Sequence, residues 1–248
     1  MERMRQLVVS FFLYSYNEYM NNQLFSFQKL HEVFVHYGFT LYVVGGTVRD
    51  FLLSLPLSDL DVVTDATPKE MKTFLQPYDC DYTFAKFGSI KIKFEGYFFD
   101  ITTLRKEKKY KDARHPNEII FIKSLKRDYI RRDFTINAMY MDEHFRVIDY
   151  CSGMKDINLG IIRTIGRSST RIKEDPLRII RALRFAINFD FTIEKHLNRA
   201  IRQNIKLLSK INPSKIKQDL LKIKSDKKER IEKIFKDYDI YHLLDMIE

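Results

Sequence analysis

The stretch that most constrains this chain is Leu41–Asp65, LYVVGGTVRDFLLSLPLSDLDVVTD. It opens on a short apolar run, Leu41 to Val44, of the kind that suits a strand. Gly45 and Gly46 break that run, and TVRDFLL continues as a helix start. A turn containing Pro56 then leads into a second strand, Ser58 to Val63. Without a Cβ, the two glycines let the backbone come close to a phosphate. The amides that follow, at a helix N-terminus, can face an anion. Residues two apart on a strand share a face, so Asp59 and Asp61 project together. Paired carboxylates suit Mg²⁺, with substrate phosphates as further ligands. Taken singly, Gly-Gly is an ordinary turn and an Asp-x-Asp pair is commonly solvated. Flanking one short helical piece, and joined by Arg49, they point to metal-assisted nucleotidyl transfer.

A chain of 248 residues suits one large domain or two small ones, and its 20 Phe and 45% apolar content are ample for a core. The net charge of +10 favours a polyanionic partner such as nucleic acid. The excess is concentrated: Leu104 to Arg132 holds eleven Lys and Arg against four Asp and Glu. Cys80 and Cys151 stand far apart, with neither metal-ligand spacing nor a disulfide framework. A reducing, cytoplasmic setting fits. No apolar run approaches the roughly 20 residues of a membrane span. Met1–Tyr16 superficially mimics a signal peptide but lacks a small-x-small cleavage site, and Met20 is an alternative start.

Read in order, Met1 to Thr40 is helical, with Leu24, Phe27, Leu30, Val33 and Phe34 on one face that should pack on the sheet. Thr67, Pro68 and Glu70 form an N-cap, first-turn proline and capping-box set. Ser89–Phe94 and Tyr97–Thr102 alternate as two strands joined at Glu95-Gly96. Asp100 sits among Phe98, Phe99 and Ile101, and an acid in so apolar a strand needs a partner. Arg105 to Pro116, RKEKKYKDARHP, has no apolar period and reads as a mobile charged loop. Asp128–Met141 sets Arg131, Arg132, Asp133 and Asn137 among Phe134, Ile136, Ala138 and Met139; its bland reading is a buried Arg–Asp pair inside a helix. Gly153 fits a turn, and Asp156 could pair with Arg163 across a short hairpin. Asp175 before Pro176 makes a helix cap. Arg178 and Arg181 follow on one side of that helix, with Arg184 a turn further. From Asn188 the chain is helical and Lys-rich.

Gly45-Gly46-Thr47-Val48-Arg49-Asp50 followed by Asp59-Leu60-Asp61 resembles the first motif of the class II tRNA nucleotidyltransferases and bacterial poly(A) polymerases, within the DNA polymerase β-like superfamily. Arg131–Met139, RRDFTINAM, resembles a second motif almost letter for letter. Asp149, Gly153, Asp156 and Arg163 are similar to a third motif, a structural hinge, and Glu174–Arg178, EDPLR, to a fourth. Ser214–Ile223 matches the fifth loosely.

The resemblance implies an α+β fold, with a sheet-and-helix head over residues ~1–150 and an all-helical neck over ~151–248. It implies that Asp59 and Asp61 hold two Mg²⁺, with Asp100 as the third catalytic carboxylate. Gly45, Gly46 and Arg49 would cradle the triphosphate. Arg132 and Asp133 would contact the nucleotide's phosphates and ribose, Asp133 reading the 2′-hydroxyl, with Asn137 and Arg181 in the same nucleotide-binding set. Asp175 and Arg178 would read the base edge of CTP or ATP. The 105–116 segment corresponds to a flexible loop that assists addition of the final A. The implied reaction is in-line attack of a tRNA 3′-hydroxyl on the α-phosphate, adding C, C and A. Such proteins usually continue into helical body and tail domains, so the resemblance implies weak tRNA grip, a homo-oligomer or a partner. Rival readings are a CC-only or A-only enzyme, a poly(A) polymerase and an inactive RNA-binding module. The polymerase signature GRRFR has Phe87-Gly88-Ser89-Ile90-Lys91 in its place.

Overall fold

The computed structural model describes residues 22–110 and 116–246. The signal-like Met1–Tyr16 stretch and the alternative start at Met20 lie outside them. Two compact units result. The first holds the described chain up to Lys106, with Ile120–Asp128 and Met139–Ile148. The second holds Glu107–Ile119, Tyr129–Ala138 and the chain from Asp149 onward. Arg132, Asp133 and Asn137 therefore belong to the second unit.

In the first unit, helix α1 runs through 22–36. Leu24, Phe27, Leu30 and Phe34 are buried along it, on the face that the helical spacing picks out. Strand β1 (Leu41–Val44) leads through Gly45 into α2 (Gly46–Leu52), and β2 (Leu60–Thr64) returns antiparallel to β1. Helix α3 (Pro68–Phe74) opens on the full capping box: Thr67 Oγ1 accepts from the Glu70 amide and Glu70 accepts from the Thr67 amide. The Phe74 ring meets Phe34 of α1 edge-on at 5.1 Å. Strands β3 (Asp79–Asp81), β4 (Ser89–Phe94) and β5 (Tyr97–Thr103) follow. The β4–β5 hairpin turns on Glu95 and Gly96, both with positive φ, as a two-residue primed turn requires.

The segment expected as a loop from Arg105 is instead strand β6 (Arg105–Tyr110), in a two-stranded sheet with β7 (Pro116–Phe121). Ladder hydrogen bonds join backbones, so a strand with a partner needs no apolar alternation of its own. After α4 (Leu125–Asp128) come β8 (Tyr140–Met141) and β9 (Val147–Ile148), which complete a seven-stranded mixed sheet in the order β3-β4-β5-β2-β1-β8-β9. Its middle pair, β2 and β5, is parallel. Leu60, Val62, Ile90, Ile92, Phe99 and Ile101 are buried on one side. The opposite side of β4, β5 and the start of β2 carries Lys91, Lys93, Phe98, Asp100 and Asp61, partly or fully exposed.

The second unit is built on helices. α5 (Gly153–Asn158) and α6 (Ser168–Glu174) precede α7 (Leu177–Asn188), which is buried along most of its length. Strands β10 (Ile161–Ile162) and β11 (Thr192–Ile193) pair parallel. Helices α8 (Lys195–Asn204), α9 (Pro213–Leu220) and α10 (Lys228–Asp237) follow; α7 packs on α9 and α10, and α6 on α8. Arg184 of α7 pairs with Asp219 of α9 at 2.7 Å, both buried, which gives the loosely matched last motif a structural task. The Asp156–Arg163 pair forms at 3.0 Å, but it links helix α5 to the residue just after a short strand, Ile161–Ile162, rather than closing a hairpin. The left-handed residue there is Ser152, at φ 63°, and Gly153 opens α5. Among the described residues, no helix is long and apolar enough to cross a membrane.

Candidate active site

The carboxylates of the first unit are arranged by sheet register. β2 runs parallel to β5 with Asp61 directly opposite Asp100. Asp59 stands two residues before Asp61, just ahead of the strand. Asp100 is not sunk among its apolar neighbours, as its sequence context suggested. Alternation turns Phe99 and Ile101 inward and leaves Asp100 half-exposed on the open face. Its partner comes from β4: Lys91 Nζ lies 3.7 Å from Asp100 Oδ2 and 2.6 Å from Asp59 Oδ2. Burial pushes the Asp100 carboxyl up, Lys91 offsets part of this, and the charge on Asp59 adds to it.

Thr47 ties the glycine turn to this cluster, because its Oγ1 accepts the backbone N–H of Asp61 at 3.0 Å. Gly45 adopts φ 71° and ψ −129°, a conformation open to glycine, and its amide bonds to Met139 O at 3.2 Å. Gly46 opens α2 in an ordinary conformation, and a Cβ there would stand 3.4 Å from an Arg49 guanidinium nitrogen. Arg49 therefore folds back over Gly46. Its fork grips Asp50 through Nε at 2.9 Å and Nη2 at 2.8 Å.

Three carboxylates on an open face form an all-oxygen donor set. Among the described residues, no three metal-ligating side chains converge on one point. An all-oxygen donor set is of the kind Mg²⁺ takes, with one or two carboxylates and the rest of its shell filled by water and substrate phosphates. Asp59 and Asp61 are the residues that could hold it.

The nucleotide-binding candidates of the second unit form a cluster of their own. The RRDF segment is not helical: short 3₁₀ turns at Tyr129–Arg131 and Thr135–Asn137 flank it. It pairs instead with the strand-like stretch after Arg163, through Thr135 N to Arg163 O at 2.9 Å and Ile165 N to Asp133 O at 3.1 Å. Phe134 packs edge-on against Phe185 of α7 at 5.8 Å. Asp133 is buried, and its charge partner is Arg181 of α7, with Nη2 2.5 Å from Oδ2, rather than a neighbouring arginine. Its other oxygen accepts from the Phe134 amide at 2.7 Å. Burial pushes the Asp133 carboxyl up, but Arg181, the Phe134 amide, Arg178 and Asn137 together outweigh it and hold the group below its ordinary value.

Asp175 marks the break between α6 and α7, and its Oδ1 accepts from the Leu177 amide at 3.1 Å, the expected cap. Arg178 is buried, with Nη1 bonded to Arg171 O and to Glu174 Oε2. Sequence reasoning missed Arg171 and the hub role of Glu174. Arg171 Nη2 donates to the carbonyls of both Arg131 and Arg132, at 2.7 and 2.6 Å, and Nη1 donates to Glu174. Arg171 thus clamps the backbone that presents Arg132 and Asp133. Hydrogen bonds from a charged donor contribute about 1.5–3 kcal/mol each. Arg171→Ala, which removes two such bonds to the backbone, is accordingly expected to lower Tm by roughly 6–24 °C in a chain of this size. Calorimetry checks it, and an unchanged Tm would count against the clamp.

Residues 41–163 match the family described as the poly(A) polymerase head domain. A CCA-adding enzyme of Listeria monocytogenes serotype 4b (strain CLIP80459) is 41% identical over 191 residues, covering 77% of this chain and 48% of that protein. The chain belongs to the family of the CCA-adding enzymes and poly(A) polymerases. Family members of known structure share its mixed α+β head followed by a helical region. The Bacillus stearothermophilus CCA-adding enzyme, in complex with CTP, superposes with a TM-score of 0.73 at 31% identity, over 80% of this chain and 47% of that one. The Thermotoga maritima CCA-adding enzyme, complexed with tRNA, superposes with a TM-score of 0.68 at 27% identity, over 86% and 50%. The chain spans about half the length of the curated relatives it matches.

Proposed function

We propose that this chain carries out nucleotidyl transfer to the 3′ end of tRNA, adding C, C and A from CTP and ATP without a nucleic-acid template and releasing pyrophosphate. The observation that carries the reading is the register of β2 on β5, with Asp61 facing Asp100 and Asp59 two residues away. Likeness to CCA-adding enzymes supports the choice of substrate. Asp59 and Asp61 would hold Mg²⁺, which would supply charge neutralisation at the phosphates and a lowered pKa for the attacking hydroxyl. Asp100 completes the carboxylate set. Gly45 and Gly46 leave the backbone open to the triphosphate, and the fork of Arg49, here closed on Asp50, is of the kind that grips phosphate.

The second unit supplies recognition. Arg132 donates to phosphate, and Asp133, held by Arg181 and Asn137, accepts from the ribose 2′-hydroxyl. Asp175 accepts from the exocyclic amino group that cytosine and adenine share. Arg178, whose Nη1 is held by Arg171 O and Glu174 Oε2, donates to the ring.

The test is an incorporation assay with Mg²⁺ on tRNA transcripts ending before the CCA, after the first C and after CC. Each is offered CTP, ATP, UTP or GTP singly, and CTP with ATP. Stepwise C, C, then A, ending there, is the expected result. C alone, or A only onto the CC end, would make this a partial adder. A long A tail would make it a poly(A) polymerase, and no incorporation would leave an RNA-binding module.

A further inference from the structure

Lys91 takes no part in the reaction as read above, yet it sits inside the carboxylate cluster. It belongs to β4, where its direct partner across the ladder is Asp100, whose own parallel partner is Asp61. Alternation buries Ile90 and Ile92 and turns Lys91 to the open face with the two acids. Its ammonium is seated on three sides: 2.6 Å from Asp59 Oδ2, 3.7 Å from Asp100 Oδ2, and 5.4 Å from the centre of the Phe98 ring. Asp59 is one of the two residues that would hold a metal, and Asp100 completes that carboxylate set. An ammonium and Mg²⁺ compete for the same hard oxygens, and as like charges they cannot both sit on them at contact distance.

We propose that Lys91 is a tethered cation that neutralises this cluster in the metal-free protein and that Mg²⁺ must displace before it can occupy Asp59. The inference rests on the reading of Asp59 and Asp61 as metal ligands. The lysine stem is flexible and its side chain is 40% exposed, so the ammonium can swing out into water when the ion arrives. Two consequences follow from one residue. Without metal, the acids do not face one another uncompensated. With metal alone, binding is weakened by the competing ion pair. A nucleotide that brings its own phosphate oxygens adds ligands Lys91 does not contest, so the ion binds better with its substrate than before it.

The test is calorimetric titration of Mg²⁺ into the full chain without nucleotide, on the natural protein and on Lys91→Met, with Lys91→Thr as a second variant suited to a strand. A half-exposed ion pair of this kind is expected to change affinity by about two- to fivefold, so both variants should bind Mg²⁺ that much more tightly. Their metal-free Tm should fall by roughly 1–3 °C. Asp59→Asn should lose binding in either background. Equal or weaker Mg²⁺ affinity in the Lys91 variants would overturn the inference while leaving the metal reading of Asp59 and Asp61 in place. Binding to none of the proteins would overturn that metal reading, and the inference with it.

Discussion

Asp59→Ala and Asp61→Ala are each expected to abolish incorporation of CTP and ATP while leaving the fold intact. Both side chains lie on the open face and are exposed, so their removal takes nothing from the core. Surface substitutions of this kind usually change stability by less than about 0.5 kcal/mol. Asp61 keeps its ladder register with Asp100, and its backbone N–H keeps Thr47 Oγ1, because neither bond involves the carboxylate. Activity should respond very differently. Charge neutralisation by a bound metal contributes several kcal/mol to the transition state. At about 1.36 kcal/mol per tenfold in rate, its loss is on the order of 10³-fold or more. Single-turnover incorporation onto a tRNA ending in CC measures the rate, and a melting curve verifies the fold. A rate within tenfold of the natural protein would remove these carboxylates from the chemistry. Retained tRNA binding with lost incorporation would separate an enzyme from an RNA-binding module, which has no rate to lose.

What could be read in the sequence follows from how local each signal is. The Thr67 capping box, the Glu95-Gly96 turn and the buried face of α1 all depend on residues a few positions apart, and each stands as the spacing implied. β6 was misread because its partner is another stretch of chain: RKEKKY has no apolar period, and pairing with β7 is what makes it a strand. The partner of Asp100 was not legible for a related reason. Its neighbours in sequence are apolar, but its neighbours on the open face are Asp61 and Lys91, brought there by two other strands. Thr47, Lys91 and Arg171 carry no distinctive spacing. Their roles exist only once β2, β4 and α6 are set beside their partners. Arg181 lies on the helix that continues past the EDPLR motif, but the carboxylate it meets, Asp133, is far away in the chain, and composition could not select that partner from the other acids.

That pair gives the second large effect. Asp133→Ala is expected to destabilise the protein by about 2–4 kcal/mol. Removing one member of a fully buried ion pair costs about 3–5 kcal/mol, and Arg181, a third exposed, recovers part of that by rehydration. The alanine also leaves the Phe134 amide without its acceptor. Asp133→Asn keeps an oxygen for that amide and loses only the charge, so the difference between the variants separates the hydrogen bond from the ion pair. The sign of the pH dependence is fixed by the direction of the shift. The folded carboxyl titrates below its ordinary value of 3.8, so the unfolded chain takes up the proton first. The stabilisation from the charge is therefore complete above the ordinary carboxylate range and is lost as pH falls through 3.8 toward the lower folded value. Urea unfolding of the natural protein and Asp133→Asn should show a stability gap that is constant at neutral pH and narrows below about pH 5. A gap that stays the same into acid would mean that the Asp133 charge does not stabilise the fold, and that Arg181 answers to its other acidic neighbours, Asp219 and Asp175, instead.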